Sequence, residues 1–225
     1  NKTSFERRLD GVIVGDSRDK GVMRNGEFVH PILRFGVRFP QGWEVANSDD
    51  AVAAQPAGND GAAIVLQQVT TASDNLARAT DASMRASNFA PTLDAGVDTT
   101  VNGLAAFIGT YEGVIERTRV LARAGLVRHG ARGQAYRILG LGAAADFRAV
   151  GSAADATIRS FRPLSATEAD GIQDAVLRLV PAKAGDTWDS LASGRGISAA
   201  SLAIMNGLPP GSRPPAAGTV IRVVR

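Results

Sequence analysis

What limits the fold of this chain most is the order of its strand-like and helix-like patterns. Leu33, Phe35, Val37 and Phe39 alternate with Arg34, Gly36 and Arg38, the period-two pattern of a half-buried strand, and Pro40-Gln41-Gly42 ends it. Residues 43–46, 51–55 and 62–69 read as further strands, joined by the turns Ser48-Asp49-Asp50 and Gly58-Asn59-Asp60-Gly61, which together suggest an antiparallel meander. A helix is expected over 73–87, with Ser73 as N-cap and Leu76, Ala79, Thr80, Ser83 and Met84 at helical spacing. Strands resume at 96–101, 104–113, 118–127 and 134–141, and a second helix over 144–160 brings Phe147, Val150, Ala154 and Ile158 onto one face. A parallel sheet would need strand and helix to alternate. The grouping strands, helix, strands, helix instead predicts an α+β domain, an antiparallel sheet covered by two helices.

Around this domain, residues 1–27 read as a connector. Thr3-Ser4-Phe5-Glu6 has capping-box spacing and predicts a short helix through Leu9. Gly15-Asp16-Ser17-Arg18-Asp19-Lys20-Gly21 and Asn25-Gly26 are turn-rich and extended. The α+β domain is expected over 28–164. A polar, small-residue linker over 165–175 follows, and a second small domain over 176–225.

Composition narrows the function classes. Apolar residues make up 44% and charged residues 21% of the 225, ordinary for a folded globular chain. No run of 18 apolar residues exists, so no membrane span is expected. The start at Asn1-Lys2-Thr3, without Met or a charged-then-apolar leader, is expected to mark a processed product or an excised piece. With no cysteine, disulfides, thiolate zinc sites and cysteine nucleophiles are excluded. The net charge of +3 is spread along the chain and aromatics are only 5%, so nucleic acid is not an expected partner.

Several patterns imitate catalytic or binding motifs. Gly140-Leu141-Gly142-Ala143-Ala144-Ala145 follows a strand and opens a helix like a dinucleotide fingerprint, but no second parallel strand ending in an acid follows, so a tight turn is expected. Arg117, Arg119, Arg123, Arg128, Arg132 and Arg137 are read as a solvated outer face in preference to a surface for an anionic polymer. Asp49 and Asp50, adjacent in a turn, point apart and make a poor acid/base pair.

The last segment carries the most specific pattern. Leu177-Arg178-Leu179-Val180-Pro181 reads as a strand; Gly185-Asp186-Thr187-Trp188 opens a helix with Trp188, Leu191 and Ala192 inward. Ser198 caps a second helix with Leu202 and Met205 inward, ended by Asn206-Gly207, and residues 219–224 form the closing strand. This βααβ order, with GDT and then SLAIMNGL before the last strand, resembles the LysM family. The resemblance implies a shallow groove for N-acetylglucosamine units of peptidoglycan or chitin. Gly185, Asp186, Thr187 and Trp188 would form one side and Asn206, Gly207 and Leu208 the other. Pro209-Pro210 and Pro214-Pro215 depart from the family pattern beside that groove. Asp186, Thr187, Asn206 and Gly207 also have a purely structural reading, as the caps that any βααβ unit needs.

Two further resemblances concern the larger domain. Arg7-Arg8-Leu9-Asp10-Gly11-Val12-Ile13-Val14-Gly15-Asp16, Phe28-Val29-His30-Pro31-Ile32-Leu33-Arg34-Phe35 and Phe39-Pro40-Gln41-Gly42-Trp43 resemble the stretch that follows the protease domain in bacterial zinc metalloproteases of peptidase family forty-eight. The resemblance implies a periplasmic or cell-envelope setting. It also implies an upstream protease domain that carries the zinc-binding HExxH, which this chain lacks, since His30 and His129 stand apart without a companion acid at helical spacing. Over residues 35–161 the order of strands and helices is similar to that of PsbP-like α/β/α sandwiches. The expected function is therefore that of a non-catalytic C-terminal region that binds peptidoglycan, with no cofactor of its own, and that positions or regulates the protease or contacts its protein substrates. The alternative is a structural protein-interaction region with a degenerate LysM fold that binds no glycan.

Overall fold

Alternating burial runs along the long strands: Ala62, Ile64 and Leu66 are buried, while Ala63, Val65 and Gln67 between them are only half-buried. In the computed structural model, residues 10–13, 17–58, 61–93, 96–194, 197–213 and 216–224 are described. Two compact units result, Arg18–Ile172 and the pair of segments Asn1–Ser17 and Gln173–Arg225. The helix expected at Thr3 to Leu9 lies outside the described residues.

The larger unit begins with β1 (Val22–Arg24), β2 (Glu27–His30) and β3 (Phe35–Val37), which with β12 (Arg162–Pro163) form a four-stranded antiparallel sheet. Its main sheet holds β4 (Trp43–Asn47), β5 (Val52–Pro56), β6 (Ala62–Thr70), β7 (Ala90–Pro91), β8 (Val97–Val101), β9 (Leu104–Ile115), β10 (Thr118–Arg128) and β11 (Gln134–Ala143). They run in the order β4-β5-β6-β11-β10-β9-β7, with β8 paired on β9, and every pairing is antiparallel. The chain is thus an α+β protein dominated by antiparallel sheet, as the pattern order predicts.

Helix α1 (Leu76–Ala86) and helix α2 (Phe147–Ser160) cover opposite faces of this sheet. On β10, Ala124 clusters with Met84 of α1, whereas a Cβ on its neighbour Gly125 would stand 2.7 Å from Ile158 of α2. The glycines of the expected tight turn have the same explanation. Gly140 and Gly142 lie inside β11, and a Cβ on Gly140 would come within 2.3 Å of the Ala154 Cβ. Their role is close helix-to-sheet approach rather than turning.

Other differences from the sequence reading are local. The connector expected through residue 27 instead supplies β1, because Asn25 and Gly26, at φ 51° and 75°, make a two-residue hairpin turn. The strand expected from Ile32 shrinks to Phe35–Val37, since Arg34 at φ 55° closes a turn before it. The first helix starts at Leu76, capped by Asn75, whose side chain accepts from the Arg78 N–H at 2.8 Å, while Ser73 accepts from the Asn75 N–H. The expected linker over 165–175 contains helix α3 (Ala166–Asp170), nucleated by a Ser165/Glu168 capping box.

The smaller unit has β13 (Leu177–Pro181), α4 (Trp188–Ala192), α5 (Ala199–Met205) and β14 (Val220–Val224), with the two strands paired antiparallel. Its core is Trp188, Leu191, Leu202, Ala203, Ile221 and Val223. Residues 10–13 run beside β13, with Gly11 N–H donating to the Leu177 carbonyl and Leu177 N–H to that of Val12, both at 2.8 Å.

Candidate functional site

In the smaller unit, the loop between β13 and α4 is closed by Asp186. Its carboxylate accepts from the Lys183 N–H at 2.7 Å, and its own N–H donates to the Lys183 carbonyl at 3.2 Å. Gly185 sits at the exposed tip with φ 87° and open space where a Cβ would be, a left-handed conformation that glycine adopts without strain. Thr187 is the N-cap of α4: its hydroxyl accepts from the Ser190 N–H at 3.0 Å, and the Ser190 hydroxyl oxygen accepts from the Thr187 N–H at 2.9 Å. Trp188 is 5% exposed, so its ring is core and presents no sugar-stacking face.

The opposite side is built at the end of α5. The Asn206 side chain accepts from the Arg222 N–H at 2.8 Å and donates to the carbonyls of Leu202 and Arg222, both at 2.9 Å. It pins α5 to β14. Gly207 takes φ 77°, its N–H donates to the Ile204 carbonyl at 2.8 Å, and the N–H of half-buried Leu208 donates to Ala203 at 3.0 Å, closing the helix C-terminus. All of the polar side chains expected to hold a glycan are therefore engaged within the unit. The two loops are nevertheless joined: the Trp188 indole N–H donates to the Ser212 carbonyl at 2.9 Å, tying the start of α4 to the loop after α5. The surface left outward is backbone and small residues, with Lys183, Ala184 and Gly185 exposed on one loop and Gly207, Pro209, Pro210 and Gly211 on the other. Pro214-Pro215 lies outside the described residues.

In the larger unit, the arginines read as a solvated face are mostly taken up by partners. Arg123 reaches Asp155 of α2 at 2.7 Å and Thr110 at 2.9 Å, and Arg137 is held by Ser83 of α1 and Gln67, both at 2.6 Å. Arg119 pairs with Glu112 and Arg128 with Asp74. Arg123 and Arg137 belong to the two helix-to-sheet interfaces, on opposite faces, because their positions on β10 and β11 alternate relative to the helices.

The two histidines are also held by backbone. His30 Nδ1 accepts from the Leu33 N–H at 3.3 Å, and His129 Nε2 lies 3.1 and 3.0 Å from the carbonyls of Leu33 and Arg34. Among the described residues no three His, Asp or Glu side chains are gathered as metal ligands. What sequence reasoning missed is a cavity in this unit lined by His30 and Tyr136. Tyr136 sits in a strand of ordinary alternation, and nothing in that pattern distinguishes a cavity-lining tyrosine from a core one.

No protein-family model matches this sequence, and no curated protein does. Among solved structures, the chain is similar to the Ran-binding protein Mog1p of Saccharomyces cerevisiae, at 14% identity and TM-score 0.46, over 65% of this chain and 98% of that one. Cyanobacterial PsbP from Synechocystis aligns at 15% identity and TM-score 0.45, over 67% and 98%. LpqN of Mycobacterium tuberculosis, involved in cell envelope biogenesis, aligns at 12% identity and TM-score 0.43, over 58% and 83%. At such values none of them assigns this chain a family or a function.

Proposed function

We propose that the smaller unit is a LysM-like module that binds N-acetylglucosamine glycan, and that the chain is the non-catalytic C-terminal region of a periplasmic zinc metallopeptidase of family forty-eight. In this reading the module tethers the enzyme to peptidoglycan. The larger unit, a PsbP-like sandwich, positions or regulates the protease or contacts its protein substrates. No helix among the described residues is long and apolar enough to cross a membrane.

The observation that supports glycan binding is the Trp188 to Ser212 hydrogen bond. It holds side by side the two loops whose exposed backbone would meet an acetamido group. Backbone donors and acceptors on small residues suit a sugar, whose recognition depends on hydrogen bonds, many through water, over a shallow surface. The second reading, a degenerate module without glycan affinity, draws on the engagement of Asp186, Thr187 and Asn206 within the unit.

Titration of the whole chain with N-acetylglucosamine oligomers, followed by amide NMR, distinguishes the two. Shifts are expected in residues 183–187 and 207–212. Ala184→Trp, which puts a bulky ring on the exposed tip of the first loop, is expected to weaken binding at least about tenfold. Thr187→Ser, which keeps the cap, is expected to leave it unchanged. Shifts scattered over other surfaces, or none at saturating oligomer, would support the second reading. The protease link has its own test in the coding sequence upstream of Asn1, where an HExxH helix is expected and its absence would remove the link.

A further inference from the structure

The dipeptide Asn-Gly occurs three times, at Asn25-Gly26, Asn102-Gly103 and Asn206-Gly207. In such a pair the side-chain amide is open to attack by the next backbone nitrogen, because glycine has no Cβ to obstruct the approach. The fold gives the three amides different surroundings.

Asn25-Gly26 and Asn102-Gly103 form nearly the same turn. Each is the two-residue loop of an antiparallel hairpin, since Arg24 pairs with Glu27 across β1 and β2, and Val101 with Leu104 across β8 and β9. Their φ angles are 51° and 75° at the first pair and 48° and 84° at the second, the left-handed values of a type I′ turn. All four residues are exposed, and around each glycine the space where a Cβ would stand is open to 4 Å beyond its chain neighbours. Backbone shape and sterics therefore do not separate the two pairs.

Hydrogen bonding does. The Asn102 amide donates to the carbonyls of Arg159 and Phe161 at 3.1 and 2.8 Å, at the end of α2. Cyclisation would move its Cγ onto the Gly103 nitrogen and expel Nδ2, so both bonds must break. Asn206 is held by three bonds, to Leu202 and Arg222. The exposed Asn25 amide has no hydrogen-bond partner among the described residues.

We propose that Asn25 is the site of spontaneous deamidation in this chain, and that Asn102 and Asn206 are protected by the bonds their own amides make. The Gly26 nitrogen gives its proton to solvent base and attacks the Asn25 Cγ. The N–Cγ bond forms, the Cγ–Nδ2 bond breaks, and Nδ2 takes a proton from water and leaves as ammonia. Water then opens the five-membered succinimide at either carbonyl. Cleavage of the new bond gives aspartate, and cleavage of the original peptide bond gives isoaspartate, in which the chain runs through Cγ. Asparagine and one water become aspartate or isoaspartate and ammonia, and no other reactant is consumed.

Either product adds a negative charge to a groove that Asn25 lines with Met23, Arg38 and Trp43. Isoaspartate also lengthens the turn by one backbone carbon. The turn closes onto β1, a three-residue strand at the edge of its sheet, whose Val22 packs on Val29, Leu164 and Ile172. Because turn geometry sets hairpin register, the longer turn loosens β1 on β2. The site lies in the larger unit, and its test does not depend on glycan binding.

The test is incubation of the whole folded chain in mildly alkaline buffer at body temperature, followed by peptide mapping that resolves asparagine, aspartate and isoaspartate at all three sites. A parallel sample unfolded in urea is the reference in which no amide is held. In the folded chain Asn25 is expected to convert about tenfold to a hundredfold faster than Asn102, the rate equivalent of two hydrogen bonds, and Asn206 no faster than Asn102. In urea the three are expected to convert at similar rates. Amide exchange at Val22 to Arg24 should quicken in the isoaspartate form. The proposal is overturned if Asn102 or Asn206 converts as fast as Asn25 in the folded chain, if Asn25 stays intact while all three react in urea, or if the folded order of rates persists in urea.

Discussion

Asn206 forms three hydrogen bonds with one amide group, two of them to the backbone of Arg222 on β14. It pairs with that residue as a neighbouring strand would. Truncation to Ala would leave the Arg222 N–H and two carbonyls without these partners, at a cost of about 2 kcal/mol, a large share of the stability of so small a unit. A clear fall in the denaturant midpoint of the smaller unit's transition is expected for Asn206→Ala, and an unchanged midpoint would mean that water replaces the amide without loss. Gly140 is decisive for the opposite reason, the absence of a side chain. A methyl there meets the Ala154 Cβ at 2.3 Å, an atom fixed to its helix, so Gly140→Ala is expected to destabilise the larger unit by about 2 kcal/mol, measured by chemical denaturation. Both residues were visible in the sequence for a lesser reason than their actual one. Asn206-Gly207 announces a helix end, but the bond to Arg222 spans 16 residues and depends on where β14 comes to lie. Gly140 and Gly142 imitate a nucleotide loop because strand-to-helix packing and phosphate approach both require a missing Cβ.

At the scale of elements, length decided what could be read. The long strands β6, β9, β10 and β11 and helices α1 and α2 carry enough periods for the pattern to show, and the structure moves their ends by a few residues only. The three-residue β1 and five-residue α3 do not complete a second period, and only turn and cap chemistry marks them. In α3 that chemistry can be measured. The Ser165 N–H donates to Glu168, Arg162 donates to it at 2.9 Å, and the Ser165 hydroxyl adds a third bond. With the backbone bond as the largest cause, these hold the Glu168 carboxyl at about 2. A carboxyl lowered on folding contributes stability that is fully present above the ordinary carboxylate range and is lost as pH falls toward that value. Glu168→Gln, which keeps the shape and removes the charge, is expected to melt below the parent chain at neutral pH and together with it near pH 2. A gap that persists unchanged in acid would exclude the charge as its source. Arg162 also holds nearly buried Glu27 through both carboxylate oxygens, at 2.8 and 3.0 Å, so one guanidinium joins β2, β12 and α3.

For the whole molecule, the grouping of strands and helices made the antiparallel α+β class legible, since it follows from order alone. The sites were less so. The expected glycan residues fall on the two loops that Trp188 joins, but their side chains serve the unit itself, which leaves any recognition to exposed backbone. The cavity beside Tyr136 draws its wall from six strands and the loops between them, from residue 19 to residue 136, and no local spacing could have gathered them. The role proposed for the chain is that of an accessory region tethered to peptidoglycan. Such a tether requires retention on the wall polymer, which co-sedimentation of the whole chain with purified peptidoglycan sacculi at moderate salt measures directly. The chain is expected to pellet with the sacculi, to be released by soluble N-acetylglucosamine oligomers, and to stay in the supernatant as Ala184→Trp. A parent chain that remains in the supernatant, or that pellets equally with and without the oligomers, would contradict it.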